Sequence, residues 1–368
     1  MKIKEMKVLE KGIIPKENIY PNSKVINAYN DLRILEYGPM RWAGFGSLSV
    51  IEIETDNDIR SSTITSDMAA GVLFSQRTHL IGEDVDAHER IFDRIYRLLI
   101  PYERKGTGIM ALSALDNLIW DLKGKDVKKP LYKLLGGGTR ETIPVYASLP
   151  ANDNLESLKN QCEQALNDGY IAIKIRFPYG PADGVYGIQM NLDIVRQLRD
   201  RLGNNVDIMI DALMSWNTWF AEKMIRGLER FEIAWIEEPF IPDDFVSLQR
   251  ITKKTNIPIS AGEHAYGINE FQSLIDAGVT ILQPDSITSG GVTTLKKVQA
   301  LSEAEGITVI PHTINLSNLH FIFSCPPNIC PMAENYLWLE QFSKNKPTIT
   351  NGIISIESLH NIGTGNEF

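Results

Sequence analysis

Short apolar runs alternate with amphipathic segments along the chain from about residue 142 onward. The segments, such as NLDIVRQLRDRLG and GVTTLKKVQALSEAEG, repeat their apolar positions with the period of a helix that buries one face. Each run has the length and composition of a buried strand. A repeated alternation of strand and helix predicts a parallel β/α barrel. The predicted strands lie near 143–148, 171–176, 206–211, 233–237, 257–262, 279–284, 307–311 and 335–340.

The first third of the chain has a different pattern. The strand-like runs MKIKEMKVLE and SLSVIEIETD come first, and helical periodicity follows over 83–104 and 107–124. This order predicts a separate α+β unit, and the turn-rich LLGGGTR at 134–140 marks its end. The last segment, GIISIESLHNIGTGNEF, is expected to pack against this unit. The predicted division is a capping domain at 1–135, a catalytic barrel at 136–341 and a C-terminal segment at 342–368.

The composition limits the classes of partner. A net charge of −9 and the lack of a basic stripe argue against nucleic acid. The first residues, MKIKEMKVLEKG, mix charged with apolar positions, and no uncharged apolar run approaches the roughly 20 residues that span a bilayer. We therefore expect a cytoplasmic protein without a membrane partner. The three cysteines, Cys162, Cys325 and Cys330, are expected to be free buried thiols.

Acidic residues follow four of the predicted strands. Asp211, Glu237, Glu263 and Asp285 come at the ends of VDIMID, IAWIEE, IPISAGE and VTILQPD, in steps of 26, 26 and 22 residues. Carboxylates that meet at one rim of a barrel repel each other unless a cation neutralises them, and Mg²⁺ prefers oxygen ligands. A single acid after a strand more often caps the next helix. Three acids at the ends of consecutive strands favour a Mg²⁺ ion bound by Asp211, Glu237 and Glu263. The remaining coordination positions of the ion would be open to a substrate carboxylate.

Acid/base chemistry is predicted on the neighbouring strands. His312 follows Asp285 by 27 residues at the end of ITVIPH, so the carboxylate is placed to fix the imidazole tautomer and raise its basicity. A lone histidine after a strand is more often structural. Lys174 and Arg176 alternate on the second strand and both point into the barrel. Arg176 keeps its proton at neutral pH and is predicted to bind substrate, whereas Lys174 is left open as a base or an electrostatic stabiliser.

These residues together resemble the enolase superfamily, in its mandelate racemase-type group. The resemblance implies a (β/α)7β TIM-like barrel with an N-terminal α+β capping domain, Mg²⁺ on the three acids, and the Asp-His pair as the general base. It also implies a symmetric homo-oligomer, with an octamer possible. It is carried by ALSALDNLIWDLKGKDVKKPLYKLLGG at 111–137, KIR at 174–176, Asp211, IEEP at 236–239, AGE at 261–263, QPD with the following GG at 283–291, and Pro311-His312.

The second strand departs from the pattern of many members, which carry Lys-x-Lys there and use the second lysine as a base. Here that position is Arg176, which argues against a racemase with a base on each face of the substrate. The chain most resembles the L-rhamnonate dehydratase branch through GPADG at 180–184, DALMSW at 211–216 and QPDSITSGGVTTL at 283–295. The branch implies dehydration of a sugar acid to a 2-keto-3-deoxy acid through an enediolate, with His312 as base and then acid. The alternatives are a racemase, epimerase or cycloisomerase on the same scaffold, or a non-catalytic protein that kept the fold.

Substrate contacts are predicted at four further positions. Arg41 and Trp42 lie in a stretch that resembles the loop closing over the barrel mouth, although a surface arginine and a packed tryptophan are equally compatible with it. His264 is predicted to contact a hydroxyl group. Glu340, on the predicted last strand, matches the position of an acid that stabilises the enediolate. The sequence leaves open which sugar acid is used, among rhamnonate, arabinonate or fuconate, gluconate and galactonate.

Overall fold

The computed structural model describes residues 1–13, 47–150, 152, 154–336, 344–359 and 361–368. These ranges include the strand ends at which most of the predicted site residues stand. The predicted substrate contacts Arg41 and Trp42, and the predicted acid Glu340, lie outside the described residues.

The first unit packs helices against a small antiparallel sheet. Its strands are β1 (Ile3–Ile13), β2 (Leu48–Thr55) and β3 (Arg60–Ser66), with β2 in the middle. Its helices are α1 (Asp67–Ser75), α2 (His88–Glu103), α3 (Thr107–Asp126) and α4 (Leu131–Leu134). Helix α3 is buried over most of its length because α1, α2 and β3 surround it and a later helix, Gly291–Glu305, covers the remaining side. Strands followed by helices were the predicted order for this unit.

The second unit is built on eight parallel strands in one curled sheet. The order is β10-β9-β8-β7-β6-β5-β4-β11, so the last strand lies beside the first. Within the described ranges no ladder joins β10 to β11, and a closed (β/α)7β barrel stays a prediction. A short strand, β12 (Ile353–Ser355), adds antiparallel to β4. The parallel strands are β4 (Thr142–Ser148), β5 (Ala172–Arg176), β6 (Asp207–Asp211), β7 (Trp235–Glu237), β8 (Ile259–Ala261), β9 (Ile281–Leu282), β10 (Thr308–Val309) and β11 (Ala333–Asn335).

The strands have two different faces, which their residues occupy with a period of two. On β5, Ile173 and Ile175 belong to the apolar layer under the helices, whereas Ala172 belongs to a small inner cluster with Met209 and Trp235. The observed β11 begins two residues before the predicted last strand, 335–340, of which 337–340 lie outside the described residues. The sequence pattern missed the start of this strand because its buried inner residue is an acid, Glu334, and not an apolar residue.

Helices follow the strands and begin close to the strand ends. Side chains of Asn154, Asn217, Asp244 and Asn315 accept hydrogen bonds from the first turns of α5, α7, α8 and α11, which fixes where those helices start. The helices are α5 (Leu155–Asn167), α6 (Gly184–Leu202), α7 (Thr218–Leu228), α8 (Phe245–Thr252), α9 (Ile268–Asp276), α10 (Gly291–Glu305) and α11 (Leu316–Ser324).

The C-terminal residues contact the first unit. The Thr364 amide and hydroxyl donate to Asp121 Oδ1 of α3 at 2.7 and 2.9 Å, and the Leu131 amide donates to the Gly363 carbonyl at 2.7 Å. The division of the chain at 135/136 and 341/342 stays a prediction. The described helices include none with the length and apolarity needed to cross a membrane. Cys162, Cys325 and Cys330 are buried and free.

Candidate active site

The carboxyl ends of three central strands are in register. Arg176 of β5 lies opposite Asp211 of β6, and Asp211 lies opposite Glu237 of β7. Residues that are level with each other in a parallel sheet point to the same face. The sheet therefore presents Arg176, Asp211 and Glu237 side by side on its inner face. All three are predicted site residues, and the strand register alone brings them together.

Lys174 lies between two carboxylates in the interior of the sheet. Its Nζ is 2.5 Å from Glu237 Oε1 and 2.6 Å from Glu334 Oε1, and all three side chains are almost completely buried. Burial by itself would lower the pKa of Lys174, but Glu237 and Glu334 raise it well above its usual value. Lys174 therefore keeps its proton at neutral pH. This arrangement favours the stabilising role over the role of a base.

The pKa values of the two carboxyl groups that contact Lys174 are shifted in opposite directions. Burial, together with the neighbouring carboxylates of Asp211 and Glu334, raises the pKa of Glu237 to about 8 despite its contact with Lys174. Glu334 is also buried, but Lys174 lowers its pKa to about 2. Glu237 further accepts a hydrogen bond at Oε2 from Gln283 Nε2, at 2.6 Å. The position of Glu237 is thus fixed by donors on both of its oxygens.

Arg176 forms an ion pair with a predicted metal ligand. Its Nε lies 2.9 Å from Asp211 Oδ2, and its Nη1 donates to the Leu149 carbonyl at 2.7 Å. The guanidinium group also lies over the ring of Tyr336, 5.3 Å from the centroid. The other oxygen of Asp211 accepts from the Leu213 amide at 2.9 Å. Arg176 is accordingly a fixed cation at this edge of the site.

His312 and Asp285 lie side by side, as their adjacent strands require. His312 Nδ1 is 3.1 Å from Asp285 Oδ2, and His312 Nε2 is 3.4 Å from Glu263 Oε2. Asp285 is fully buried, and its Oδ1 accepts from the Ile287 amide at 2.9 Å and from Asn315 Nδ2 at 3.0 Å. Burial by itself would lower the pKa of His312, but Glu263 and Asp285 raise it to about 10. One ring nitrogen is thus held by Asp285 while the other faces the acids.

A tighter group of possible ligands lies beside the predicted metal set. One ligand atom from each of Glu238, Glu263 and His264 falls within 4.8 Å of the others, and among the described residues this is the group that meets that spacing. His264 Nδ1 is 2.7 Å from Glu238 Oε2, and the His264 side chain is 34% exposed. Burial would lower the pKa of His264, but Glu238 raises it to about 9. Glu238 therefore has a protein partner of its own.

The charge of the site fits a divalent cation. Burial, and after it the nearby carboxylates, raises the pKa of both Glu237 and Glu263, so the ionised forms of these acids are disfavoured in the site. A cation beside them would favour the ionised forms, and carboxylate oxygens are the donors that Mg²⁺ prefers. The strand register supplies Asp211 and Glu237, while Glu263 follows β8.

Three residues near the site were not singled out as predicted site residues. Glu334 was missed because it interrupts the apolar pattern of the last strand. Gln283 was missed because its amide group reaches Glu237 only when β9 lies beside β8 in the folded sheet. The backbone of Glu238 has a φ of +38°, and its side chain pairs with His264. The only sequence signal for Glu238 was the doubled acid in IEEP, and for Gln283 its place before Pro284 and Asp285.

Two parts of the chain match known protein families. Residues 157–368 match a family described as enolase C-terminal domain-like. Residues 47–136 match the N-terminal domain of the mandelate racemase / muconate lactonizing enzyme family. The two matches together cover both units of the structure.

Individual relatives agree with these matches. A Caldivirga maquilingensis protein, whose name assigns it provisionally to the L-rhamnonate dehydratases, is 33% identical over 314 residues, which are 83% of this chain and 73% of the relative. A Streptomyces coelicolor 3,6-anhydro-α-L-galactonate cycloisomerase is 33% identical over 282 residues, 75% of each chain. The crystal structure of rhamnonate dehydratase from Gibberella zeae complexed with Mg has a TM-score of 0.86 at 26% identity, and the match covers 100% of this chain and 94% of that one.

Proposed function

Since this chain belongs to the mandelate racemase-type group of the enolase superfamily, near its rhamnonate dehydratase branch, we propose that it is a Mg²⁺-dependent sugar acid dehydratase. The observation that carries the proposal is the placement of one histidine, His312, between Asp285 and Glu263, while Arg176 pairs with Asp211 on β5. The family resemblance implies that a second base, where present, is a lysine at the position of Arg176. A single base on one face of the substrate is sufficient for the loss of water. The substrate is an aldonate such as L-rhamnonate, D-arabinonate, L-fuconate or gluconate.

We assign Mg²⁺ to Asp211, Glu237 and Glu263. When bound, the cation would neutralise these acids, lower the pKa of His312 and bind the substrate carboxylate, which makes the α-proton more acidic. Glu238 is left to hold His264 at 2.7 Å, where the imidazole can contact a substrate hydroxyl. Arg176, whose Nε lies 2.9 Å from Asp211 Oδ2, would bind the substrate next to this ligand.

His312 would act twice in the reaction. Its Nε2 accepts the α-proton, and Asp285, which holds Nδ1, stabilises the imidazolium ion that results. Lys174 stabilises the negative charge that develops on the substrate carboxylate, because it keeps its own proton. The imidazolium then returns the proton to the 3-hydroxyl group as the C–O bond breaks, so water leaves. The remaining enol becomes the 2-keto-3-deoxy acid.

The acid of the last strand fits this scheme better at Glu334 than at Glu340. Glu334 is buried, pairs with Lys174, and accepts from the Thr313 amide at 3.3 Å, one residue after His312. It therefore lies between the stabilising cation and the base. Glu340 lies outside the described residues, and its role stays a prediction, as do those of Arg41 and Trp42. The same holds for the cytoplasmic location and for a homo-oligomer such as an octamer.

The proposal is tested by screening aldonic and aldaric acids for a 2-keto-3-deoxy product. We expect turnover of at least one acid with Mg²⁺, loss of turnover when the metal is chelated, and loss of turnover in the His312→Asn variant. The matched control is His79→Asn, because His79 is an exposed residue of the first unit. Turnover that survives both chelation and His312→Asn would refute the assignment of the site.

A cycloisomerase is the second candidate, because one relative at 33% identity carries that name. The two reactions are separated by the mass of the product. A dehydratase releases a product that is lighter by one water, whereas a cycloisomerase keeps the mass of its substrate. In deuterated water, exchange of the α-proton without loss of water across the whole panel would favour isomerase chemistry.

A further inference from the structure

Helix α3 of the first unit carries a polar stripe that is buried against the second unit. Ser113, Asp116, Asn117 and Trp120 are spaced three, four and seven residues from the first, so they lie on one side of the helix. The side chains of Ser113 and Asp116 are almost completely buried, and Asn117 is 6% exposed. We call these four residues the α3 polar stripe. Burying polar groups is costly unless they form hydrogen bonds, so the partners of the stripe indicate its purpose.

Three members of the α3 polar stripe hold the beginning of α10. Ser113 Oγ accepts from the Gly290 amide at 2.8 Å, and Asp116 Oδ2 accepts from the Thr293 amide at 2.9 Å. Trp120 Nε1 donates to Thr293 Oγ1 at 3.0 Å. These contacts join a helix of the first unit to the first turn of a helix of the second. These three hydrogen bonds attach one helix to the other and do not involve the proposed catalytic residues.

Asn117 has a different partner. Its Nδ2 donates to the carbonyl of Ser286 at 2.8 Å, and Ser286 directly follows Asp285 in the chain. Ser286 in turn donates from its amide to Asn318 Oδ1 at 2.9 Å, and from its hydroxyl to Asn315 Oδ1 at 3.0 Å. Asn117 therefore holds Ser286, which in turn forms hydrogen bonds with the side chains of Asn315 and Asn318.

Those two amide side chains lead to the proton-transfer pair. Asn315 Nδ2 donates to Asp285 Oδ1 at 3.0 Å. Asn318 Nδ2 lies 3.3 Å from the same oxygen and donates to the His312 carbonyl at 2.6 Å. Asn318 thus connects Asp285 with His312. A continuous set of hydrogen bonds runs from Asn117 through Ser286 to both members of the pair, and only the last one, to the His312 carbonyl, is partly exposed.

We propose that Asn117 is a positioning residue for the Asp285–His312 pair, acting through Ser286. The proposal rests on the proposed function, in which this pair moves the proton. Without the Asn117 amide, the Ser286 carbonyl loses its anchor, and the Ser286 contacts to Asn315 and Asn318 loosen. Asp285 Oδ1 then loses donors that hold it toward His312. The first unit consequently contributes to the geometry of proton transfer, although none of its described residues needs to touch the substrate for this effect.

The test compares Asn117→Leu with Trp120→Phe in the whole chain with Mg²⁺ present. Each substitution removes one hydrogen-bond donor of the α3 polar stripe. Leucine keeps the branched shape of asparagine, and phenylalanine keeps an aromatic ring, although a smaller one, in place of the indole. Asn117→Leu is expected to lower kcat on the sugar acid found by screening by about 10-fold, in the range typical of residues that support a catalytic group. KM is expected to stay near its original value, because Asn117 holds the pair and not the substrate. Trp120→Phe is expected to keep both constants.

A spectroscopic measurement tests the same proposal without turnover. The Nδ1 proton that His312 shares with Asp285 gives a resonance that the His312→Asn variant identifies by its loss. Asn117→Leu is expected to shift or broaden this resonance, and Trp120→Phe is expected to leave it in place. If Asn117→Leu does not fold, Ser286→Ala, which removes only the hydroxyl contact to Asn315, is expected to give the same changes in smaller measure.

The outcomes separate this proposal from the proposed function. A folded Asn117→Leu protein with unchanged kcat and unchanged resonance would overturn the positioning role. Equal effects in Trp120→Phe would also overturn it, because they would point to general loosening between the two units. If the unmodified protein dehydrates no sugar acid, the proposed function fails, while the resonance comparison still decides the role of Asn117.

Discussion

His320 is predicted to make the stability of the protein depend on pH. The ring is almost completely buried, its Nδ1 accepts from the Tyr132 amide at 3.2 Å, and its Nε2 donates to the Thr364 carbonyl at 3.2 Å. Because an amide donates to Nδ1, that nitrogen must carry a lone pair, and the single ring proton is on Nε2. Protonation would require Nδ1 to give up this contact. The folded protein therefore holds His320 in its neutral form.

The size and sign of the effect follow from the pKa. Burial lowers the pKa of His320 from 6.5 to about 4. Since the folded-state pKa is the lower one, the unfolded chain takes up a proton first as the pH falls. The free energy of unfolding is thus unaffected by His320 above pH 6.5, decreases as the pH falls toward 4, and is lower by roughly 3 kcal/mol once both states are protonated.

The assay is urea unfolding across this range of pH, with the unmodified protein compared with His320→Gln. Glutamine does not titrate, so the difference in the free energy of unfolding between the two proteins is expected to shrink as the pH decreases. The control is His79→Gln, in which an exposed histidine is removed and the curve is expected to run parallel to that of the unmodified protein. Parallel curves for His320→Gln as well would refute the reasoning.

Three further substitutions test the site and its support. Lys174→Met leaves the carboxylates of Glu237 and Glu334 buried without their shared cation, and we expect urea unfolding to show a loss of about 3–5 kcal/mol. Glu237→Gln is expected to weaken Mg²⁺ binding in calorimetry at least 10-fold, whereas the matched Glu238→Gln change is expected to weaken it less; the reverse order would place the metal on the second acid of IEEP. Gly291→Ala would place a methyl group 2.3 Å from Asp116 Oδ2 at a backbone φ of +76°, so a lower melting temperature is expected, and an unchanged one would contradict the close contact of α3 with α10.

The regular parts of the fold could be predicted from the sequence because they depend on local pattern. Strands such as β5 and β6 lie within a residue or two of their expected positions, since an apolar run has few ways to be buried between helices. The meeting of Asp285 with His312 could be anticipated for the same reason, because both end adjacent parallel strands. Their chemical roles stay predictions.

The parts that could not be predicted depend on contacts between distant residues. Nothing local to Glu334 indicates that it pairs with Lys174, and an acid inside a short strand disrupts the pattern by which strands are recognised. The side chain of Glu238 is directed by a backbone angle that the sequence does not reveal. The hydrogen-bond partners of Asn117 and His320 lie 169 and 188 residues away in the sequence, respectively. These contacts can therefore be recognised only in the folded structure.

The contact between Thr364 and Asp121 has a consequence for synthesis of the protein on the ribosome. The two residues are 243 positions apart, and Thr364 donates twice to Oδ1 of the buried Asp121 carboxylate of α3. Lys125 of the same helix lies 2.7 Å from Asp121 Oδ2, but Oδ1 cannot gain its two donors until residue 364 has been translated. A stalled or shortened nascent chain therefore exposes an incomplete first unit, which is the form that chaperones and proteases recognise.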